Sequence, residues 1–465
     1  MTTFFSITDI IAATGGEARN ISAETVTSIS IDSREIDAGG LFVAIRGDSF
    51  DGHDFADKAV AAGAVAALVS RQRADGLSGL PLIVVEDALE GLYQLARFSR
   101  ERSKARIVAV TGSVGKTSTK EAIRVALEPS GKTHASIRSF NNHWGVPLML
   151  ARMPQDAQFG VFEIGMNHAG EITPLSQLVR PHVAVVTTVA PAHLEFFPSV
   201  EAIADAKAEI FAGVEPGGLA VLGGDHPYAG RLVKAAKEAG LSTLTYGFEP
   251  ADMTIVEYQA TPEGGAGRIA GDGIDLPIEI ATAGRHMLAN AVAAVLVARA
   301  VGADMDKALA ALAAHGAPEG RGAAYELGDA ENPVRLIDES YNANPVSMEA
   351  ALDVFAQSET GGRRVLVLAD MLELGAEADA YHAKLAPAVI AARPDAVFLV
   401  GPHMAALAAE LPVALVAEQA QTVEDIADNF LQTLAPGDSV MLKGSNGLRL
   451  GTLVARIRDR FGAQN

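Results

Sequence analysis

The sequence predicts an α/β protein of three domains. These are a small N-terminal α/β domain over residues 1–86, a central domain with a phosphate-binding loop and a mostly parallel sheet over 87–317, and a C-terminal Rossmann-like α/β domain over 318–465. Three observations support this prediction. The chain has 465 residues, too many for one hydrophobic core. Short apolar runs alternate with helical stretches, as in parallel sheets covered by helices. One run leads into a glycine turn, Lys-Thr and a helix, which is typical of a phosphate-binding loop.

The first block contains four short β-like runs, and a helical stretch lies between two of them. The runs are 26–31, 41–45, 66–69 and 82–85, and the helical stretch is 55–62. This composition indicates a small α/β unit with its own core.

The second block begins with a charged amphipathic stretch at 87–104 that leads into the phosphate-loop segment. β-like runs follow at 160–164, 183–188 and 219–222, with helical segments between them. This alternation favours a mostly parallel sheet, and ligands of such sheets bind beyond the carboxyl ends of the strands. The β-rich stretch 253–280 predicts an antiparallel excursion. Within it, residues 265–270 superficially match a dinucleotide fingerprint, but no helix follows them, so a hairpin turn is the better interpretation.

The third block again alternates strands and helices, after a hinge rich in Ala, Gly and Pro at 313–322. Strand candidates are 334–337, 365–368, 396–400 and 439–442, and helical stretches include 346–356 and 376–391. We therefore expect a second open α/β fold after the hinge.

The composition excludes several classes of function. Apolar residues make up 49% of the chain, as in a globular protein, and the net charge of −20 argues against general nucleic-acid binding or a membrane-surface role. The absence of cysteine excludes thiol catalysis and zinc–thiolate sites, and it is compatible with the cytoplasm. The N-terminus lacks a basic segment typical of a secretory signal, and the most apolar run, 287–302, is too short to span a bilayer. We expect a cytoplasmic protein without membrane insertion.

The most informative stretch is the phosphate-loop segment that follows the apolar run 107–110. It reads Gly112, Ser113, Val114, Gly115, Lys116, Thr117 and Ser118. Glycines allow backbone N–H groups to converge on phosphate oxygens, and the N-terminus of the following helix adds positive potential. Lys116 would contact the β/γ-phosphates and the Thr117 hydroxyl would bind Mg²⁺. The general pattern requires glycine where this chain has Val110, so the loop is the shorter G-x-x-G-K-T form; the alternative is a glycine turn with an exposed lysine.

Other candidate side chains of the central block follow its predicted strands. Glu163 ends a strand and could reach Mg²⁺, although an incidental carboxylate is the alternative. His193 could bind metal or exchange protons, or be an ordinary loop histidine. Lys207 lies on a predicted helix, and its position alone indicates a solvated lysine on the helix surface. The adjacent Asn141 and Asn142 could orient a carboxylate or phosphate, or cap a helix.

The outer blocks offer further polar candidates. Asp338 follows a strand and could accept ribose hydroxyl groups, and Arg321, just inside the hinge, could swing onto a phosphate or remain a surface arginine. In the first block, Ser33, Arg34 and Arg46 lie near predicted turns and could hold an anionic ligand.

Taken together, these stretches resemble the Mur ligase family, the ATP-dependent amide-forming enzymes of peptidoglycan synthesis. The stretches occur in every block and in family order: DSREIDAGGLFVAIRG, DGHDFADKAVAAGA, TGSVGKTS, NNHWGVPL, FEIGMNHAGEI, AHLEFF, DESYNANP, LADMLELG and LKGSNGLRL. DMLELG and KGS favour the branch that joins D-alanyl-D-alanine to a UDP-N-acetylmuramoyl-tripeptide. Asp338-Glu339 departs from the commoner Asp-Asp of the family, and His143-Trp144 fills a variable pair.

The resemblance implies specific roles. Thr117 and Glu163 would serve one Mg²⁺, and His193 a second Mg²⁺ together with Lys207 as a CO₂-derived carbamate. Asn290 would contact the nucleotide base with His286 nearby, and Arg321 and Asp338 would reach ATP on domain closure. Asn141 and Asn142 would belong to the catalytic site, with Asn142 also contacting substrate. Ser33, Arg34 and Arg46 would lie near the UDP end, and Tyr341, Asn342 and Lys443 are our hypotheses for the dipeptide site.

The implied ligands are ATP, Mg²⁺, the UDP-linked tripeptide and D-alanyl-D-alanine, in a monomer that binds no nucleic acid. Two alternatives stay open. One is a folylpolyglutamate synthase-type ligase, against which the N-terminal DSRE…FVAIRG module argues. The other is a nucleotide-dependent switch or binding NTPase, but the Asn-Lys dipeptide of a guanine reader is absent from the sequence.

Overall fold

The N-terminal domain is a five-stranded sheet with helices on its faces. The computed structural model describes residues 4–47, 49–261, 264–358 and 361–462. The strands of this domain are β1 Phe5–Ser6, β2 Glu17–Arg19, β3 Thr25–Val26, β4 Ile29–Ser30, β5 Leu41–Val43, β6 Ala66–Ser70 and β7 Leu82–Val85. The helices are α1 Ile7–Thr14, α2 Ala56–Ala61, α3 Arg71–Ala74 and α4 Ala88–Arg102. The sheet order is β2-β7-β6-β5-β4, antiparallel only at β2–β7, and β1 and β3 form a separate antiparallel pair.

The central domain is built on a nine-stranded sheet in the order β16-β15-β14-β13-β12-β11-β8-β10-β9. Its strands are β8 Arg106–Thr111, β9 Thr133–Ala135, β10 Phe159–Glu163, β11 Val183–Val186, β12 Leu219–Gly223, β13 Ser242–Gly247, β14 Met253–Thr261, β15 Gly264–Gly271 and β16 Ile274–Ile280. Its helices are α5 Lys116–Leu127, α6 Gly145–Ala151, α7 Ile172–Val179, α8 Val200–Ala208, α9 Ala229–Glu238, α10 Arg285–Val301 and α11 Met305–Ala314. All neighbouring pairs from β9 through β10, β8, β11, β12 and β13 to β14 are parallel, whereas the β14–β15 and β15–β16 pairs are antiparallel.

Residues 107–110 of strand β8 are all apolar because both faces of the strand are covered there. Ile107 and Ala109 belong to the core shared with α4 and α6, whereas Val108 and Val110 belong to the core under α5 and α10. From β8 the chain passes to β9 and β10 on one side and then to β11 on the other. The carboxyl end of β8 therefore lies at a switch point of the sheet, where a ligand crevice forms.

The C-terminal domain is a six-stranded sheet in the order β17-β18-β22-β19-β20-β21, antiparallel only at β17–β18. Its strands are β17 Ala323–Leu327, β18 Val334–Glu339, β19 Arg364–Ala369, β20 Ala396–Val400, β21 Val416–Ala420 and β22 Ser439–Lys443. Its helices are α12 Pro345–Gln357, α13 Ala378–Ala383, α14 Ala386–Ala391, α15 Met404–Glu410, α16 Val423–Thr433 and α17 Leu450–Phe461. Separate apolar cores lie on the two faces of the sheet.

The three-domain α/β architecture predicted from the sequence is confirmed, and the differences are local. The run 26–31 forms two short strands. The stretch 376–391 contains two helices, Ala378–Ala383 and Ala386–Ala391, and Pro387 lies in the first turn of the second, where a proline is tolerated. Residues 265–270 are not a turn; they lie within β15, the middle strand of the antiparallel excursion. The exact domain boundaries remain predictions, since α4 packs against both α1 and α6.

None of the helices in the described part of the chain is long and apolar enough to cross a membrane. This agrees with the short apolar run noted in the sequence. That run lies in α10, whose residues pack in the core of the central domain.

One half-buried histidine gives the fold a testable dependence on pH. The His134 imidazole on β9 lies 2.7 Å from the Met149 carbonyl oxygen, and burial lowers its pKa to about 4. The unfolded chain therefore takes up this proton at higher pH than the folded chain does. The stabilisation is complete above about pH 6.5 and is lost as the pH falls towards about 4.

We expect the free energy of unfolding to fall by about 1 kcal/mol more between about pH 7.5 and pH 5.5 in the unmodified protein than in His134→Gln, which keeps a donor for Met149. Urea unfolding at the two pH values measures this difference. Equal pH dependence in both proteins would contradict the assignment.

Candidate active site

The phosphate-binding loop follows β8 and is fixed against the end of the neighbouring strand β11. Ser113 N–H donates to the Thr188 carbonyl (2.8 Å), and the Ser113 hydroxyl bonds to the Ala190 carbonyl (3.0 Å). Gly112 and Gly115 have φ values of 152° and 84°, which favour glycine. A Cβ on Gly112 would lie 1.9 Å from the Thr187 hydroxyl oxygen. The sequence thus requires glycine at both positions for the loop to close.

Lys116 begins α5 and points back over this loop. Its ammonium group donates to the Gly112 carbonyl (2.7 Å), so the charge lies where the phosphates of a nucleotide would be cradled. Burial lowers the pKa of Lys116, and the nearby Glu163 carboxylate acts in the opposite direction. The lysine is half-buried rather than an exposed residue of a plain turn.

Glu163 ends β10 and is held from two sides. The Thr117 hydroxyl donates to one carboxylate oxygen (2.8 Å) and the Asn141 amide donates to the other (2.7 Å). Glu163 is buried, with 1% of its surface exposed, and it lines the cavity between the central and C-terminal domains that is described below. The β8–α5 loop, β10 and the loop before α6 therefore converge on one carboxylate.

These oxygen ligands fit Mg²⁺. A hard cation takes the oxygens of Thr117 and Glu163, and nucleotide phosphates and water usually complete its coordination. No group of three or more His, Cys, Asp or Glu side chains that could hold a metal occurs within residues 4–47, 49–261, 264–358 and 361–462. Two protein oxygens leave most positions of a divalent cation to nucleotide phosphates and water.

Helix α10 supplies the opposite wall of the loop. The Asn290 amide oxygen accepts a hydrogen bond from the Thr119 hydroxyl (3.0 Å). The same oxygen lies close to the loop, because a Cβ atom added to Gly115 would be 3.0 Å from it. His286, in the first turn of α10, lines the same cavity, and burial lowers its pKa. Nearby, the Arg285 guanidinium lies 3.7 Å from the centroid of the Phe248 ring. This wall offers apolar area and polar groups next to the phosphate loop, as a nucleoside requires.

The C-terminal domain contacts the central domain directly across the cavity. His193 Nδ1 lies 2.5 Å from a Glu373 carboxylate oxygen, and the Tyr341 hydroxyl donates to the Ser139 hydroxyl (2.6 Å). The hydrogen bond to His193 holds the pKa of Glu373 below its usual value. Arg321 lies over the Tyr341 ring, 4.3 Å from its centroid. The structure therefore has the two domains in contact around the phosphate loop.

The loop that carries Glu373 is supported by a buried histidine. Met371 N–H donates to His382 Nε2 (2.9 Å), and the other ring nitrogen bonds to the Ala378 carbonyl (2.7 Å). Since Nε2 accepts, the imidazole is neutral with its proton on Nδ1, and burial lowers its pKa. Asp370 accepts the N–H of the first residue of α15 (3.0 Å). Hydrogen bonds at Asp370 and Met371 thus fix the loop just before Glu373.

Lys443, at the end of β22, is 2% exposed and points to the same cavity. It donates to a Glu339 carboxylate oxygen (3.1 Å) and to the Asn342 carbonyl (3.1 Å). A buried cation with these partners can also meet an anionic group in the cavity.

Asp338 has a different environment from the one expected. Its carboxylate accepts the backbone N–H groups of Gly320 and Ser340, each at 3.0 Å. It therefore fixes the end of the 313–322 segment in this conformation, and its contact with ATP remains a prediction.

Lys207, on α8, is not the solvated lysine that its pattern indicated. It is 2% exposed, and no hydrogen bond or ion pair of its ammonium group is found among the described residues. Burial lowers its pKa well below the usual value, and the charge of Lys116 adds to this effect. A lysine side chain buried to this extent, with no partner found for its ammonium group in the described part of the chain, is unusual.

The residues above surround a cavity of about 540 Å³. The predicted site residues that line it are Ser113, Val114, Gly115, Lys116, Thr117, Ser118, Asn141, Glu163, His193, Asn290, Arg321, Tyr341, Asn342 and Lys443. Those not among its lining residues are Gly112, Asn142, Lys207, Asp338, Ser33, Arg34 and Arg46. Asn142 instead caps α6, accepting the N–H of Gly145 at 2.9 Å.

Ser33, Arg34 and Arg46 lie outside the cavity, on a side of the N-terminal domain that faces the central domain. Arg34 and Arg46 follow the adjacent parallel strands β4 and β5 and are exposed, and Ser33 precedes Arg34. Arg34 pairs with Asp32 (2.6 Å), while its neighbour Glu35 pairs with Arg138 of the central domain (2.9 Å). A long ligand could therefore extend from this end of the N-terminal sheet towards the cavity.

Several lining residues were not singled out from the sequence. They include Ser139, Thr187, Phe248, Arg285 and Glu373. Glu373 lies in the DMLELG stretch, which was the available signal, but its partner His193 is 180 residues away. The sequence around Ser139, Thr187, Phe248 and Arg285 contains no motif that would have identified these residues.

The Glu163 arrangement makes a prediction about metal-dependent nucleotide binding. Glu163→Gln should weaken binding of Mg-ADP at least about tenfold, because a neutral amide is a poor ligand for a divalent cation, but should change binding of metal-free ADP little. Lys116→Ala should weaken both. Calorimetric titration with and without a chelator measures the difference, with the exposed Glu128→Gln on the turn after α5 as control. Equal losses of both ligands in Glu163→Gln would contradict a metal role.

Three family models match the chain. They are the Mur ligase family catalytic domain over residues 25–99, the Mur ligase middle domain over 110–298 and the Mur ligase glutamate ligase domain over 325–446. A UDP-N-acetylmuramoyl-tripeptide–D-alanyl-D-alanine ligase of Escherichia coli K12 is 39% identical over 403 residues, 86% of each chain.

Solved structures agree. MurF from Acinetobacter baumannii superposes with a TM-score of 0.85 at 30% identity, covering 98% of this chain and 99% of the other. A MurF ligase of Thermotoga maritima in complex with ADP gives 0.78 at 26% identity, covering 93% and 97%. With its phosphate loop, its three sheets and these relatives, the chain belongs to the Mur ligase family.

Proposed function

We propose that this protein is the ATP-dependent ligase that joins D-alanyl-D-alanine to UDP-N-acetylmuramoyl-tripeptide, giving ADP and phosphate, in peptidoglycan precursor synthesis. The observation that carries the proposal is the phosphate loop with Lys116, Thr117 and Glu163 in a cavity closed by the C-terminal domain. The curated relatives carry this activity in their names, and a MurF structure was solved with ADP.

A carboxylate is a poor electrophile, so the tripeptide must first be activated. Its terminal carboxylate attacks the γ-phosphorus of ATP, the bond to the β,γ-bridging oxygen breaks, and an acyl phosphate and ADP form. Lys116 stabilises the charge that develops on the phosphate oxygens, and the backbone N–H groups at the start of α5 orient them. Mg²⁺ held by Thr117 and Glu163 would neutralise further phosphate charge when bound.

In the second step the free amine of D-alanyl-D-alanine attacks the acyl carbon. The C–N bond forms, the C–O bond to phosphate breaks, and the proton lost by the amine passes to the departing phosphate. Water would destroy the acyl phosphate, so the cavity must close during the reaction. The contacts of Glu373 with His193 and of Tyr341 with Ser139 support closure by the C-terminal domain.

We assign the UDP end of one substrate and the dipeptide to groups of residues according to where these residues lie in the structure. Ser33, Arg34 and Arg46 would hold the UDP end, with Asn142 between this end and the cavity. Tyr341, Asn342 and Lys443 would bind the dipeptide, Lys443 by its charge on the dipeptide carboxylate. The proposal also implies action in the cytoplasm as a monomer, as the sequence predicted.

The carbamate on Lys207 is a further part of the proposal. It is supported by the burial of this lysine, by its lack of a partner among the described residues and by its lowered pKa, which favours the neutral amine that reacts with CO₂. A carbamate would replace the repulsion from Lys116 by attraction, and it would provide an anionic ligand for a second Mg²⁺ with His193.

The test of the function is phosphate release from Mg-ATP with the UDP-linked tripeptide and with D-alanyl-D-alanine, each alone and both together. We expect strong release only with both, and a product heavier by the dipeptide residue. Release that needs neither would favour a switch-type NTPase. Release that needs folate and glutamate would favour a folylpolyglutamate synthase-type ligase.

For the dipeptide site, Tyr341→Phe and Lys443→Ala should each raise the KM for D-alanyl-D-alanine more than the KM for ATP. Steady-state kinetics with each substrate varied in turn measures this. A dipeptide KM that stays unchanged in both variants would remove these residues from the site.

For the carbamate, native mass spectrometry in bicarbonate buffer should detect one additional CO₂ per chain, and Lys207→Arg should lack it, because a guanidinium group does not form a stable carbamate. The same mass for both proteins, in and out of bicarbonate, would contradict the modification.

A further inference from the structure

Trp144, the one tryptophan in the sequence, lies between the two ends of the proposed substrate path. It directly precedes α6 and is half-buried, with part of its side chain packed against the core shared by the N-terminal and central domains. The remaining part is accessible. A large aromatic surface in such a place is available for a ligand.

The Trp144 ring packs on a tight turn of the N-terminal domain. A Cβ on Gly47 would lie 3.3 Å from Cη2 of the Trp144 ring. The turn is closed by the hydrogen bond from Gly47 N–H to the Phe50 carbonyl (2.9 Å) and by the bridge between Arg46 and Asp51. Arg46, assigned to the UDP end, is therefore the immediate neighbour of the residue that Trp144 covers.

On the other side, the Trp144 loop leads to the reacting end. Asn141, three residues earlier, donates to the Glu163 carboxylate at 2.7 Å. Asn142 accepts the N–H groups of Trp144 (3.2 Å) and Gly145 (2.9 Å), which fixes the loop relative to α6. Three residues of chain span at most about 11 Å, so Trp144 is close to both ends.

We propose that Trp144, on the Gly47 turn, is the platform on which the sugar ring of the UDP-linked substrate packs, and that it positions the tripeptide towards Glu163 and Lys116. In that substrate the sugar connects the diphosphate to the peptide, so it must pass the segment between Arg46 and Asn141. A pyranose has an apolar C–H face that an aromatic ring can cover at low cost in conformational entropy. The inference rests on the proposed function.

A purely structural role predicts different behaviour. If Trp144 only joins the two domains, its truncation lowers stability and affects all substrates alike. If it contacts the sugar, truncation acts on one substrate and leaves ATP and the dipeptide unaffected.

The first experiment uses the fluorescence of the unmodified protein, in which every tryptophan signal comes from Trp144. Titration with UDP-N-acetylmuramoyl-tripeptide should shift or quench the emission, whereas UDP alone, which lacks the sugar, should change it much less. A response to UDP equal to that of the full substrate, or no response to the full substrate while product is formed, would overturn the proposal.

The second experiment is steady-state kinetics of Trp144→Ala, Trp144→Phe and Gly47→Ala. We expect the KM for the UDP-linked substrate to rise roughly tenfold in Trp144→Ala and less in Trp144→Phe, with kcat and the other two KM values within about twofold. Gly47→Ala keeps Trp144, but the added Cβ atom would press against the indole ring. We therefore expect this variant also to raise the KM for the UDP-linked substrate.

Tyr93→Ala is the matched control, because Tyr93 is another half-buried aromatic packed against the same core. If Trp144→Ala behaves like Tyr93→Ala for all three substrates, the platform is excluded. If the unmodified protein forms no product from the three substrates, the proposed function fails. If it forms product and Trp144→Ala keeps its KM, only the platform fails.

Discussion

The carboxylate of Glu163 is the constraint on which the rest of the site depends. It is buried at the end of a parallel strand, where the Thr117 hydroxyl and the Asn141 amide both donate hydrogen bonds to it. These two bonds fix the start of α5 relative to β10 and fix the loop before α6. A cation that binds with a nucleotide would use the same oxygens, so the protein holds its ligand positions in place before the ligand arrives.

Closure of the cavity depends on residues of the C-terminal domain that have supports of their own. Glu373 reaches His193 because the loop after β19 is held by the bond from Met371 N–H to His382 and by Asp370. A hydrogen bond between two domains has little value if either partner is mobile, since ordering that partner costs conformational entropy. The buried histidine thus contributes to the site without lining the cavity.

The sequence predicts most of this fold and the local part of the site. Lys116 and Thr117 could be identified because a phosphate loop is encoded by consecutive residues, and β8 because a strand covered on both faces is continuously apolar. Strands β1, β2, β9, β13, β17 and β21 were missed. Four of them, β2, β9, β17 and β21, are edge strands of their sheets with one less-covered side, whereas β13 lies inside its sheet but has a mixed sequence with Ser242, Thr243 and Thr245. The pairs of His193 with Glu373 and of Tyr341 with Ser139 join distant segments, and the burial of Lys207 depends on helices packed around it. No local pattern encodes such contacts.

The positions of the cationic side chains explain how a chain with a negative net charge can bind a polyanion in this cavity. A chain with a net charge of −20 binds a polyanion only if cations are concentrated where the anion lies. Lys116, Arg285 and Arg321 all line the cavity, and Lys443 lies there with Glu339 as its partner. The charge of Lys116 acts on the buried Lys207, and two ammonium groups that repel each other would oppose folding. A neutral or modified Lys207 removes that repulsion, which is why the state of this lysine matters for both stability and phosphate binding.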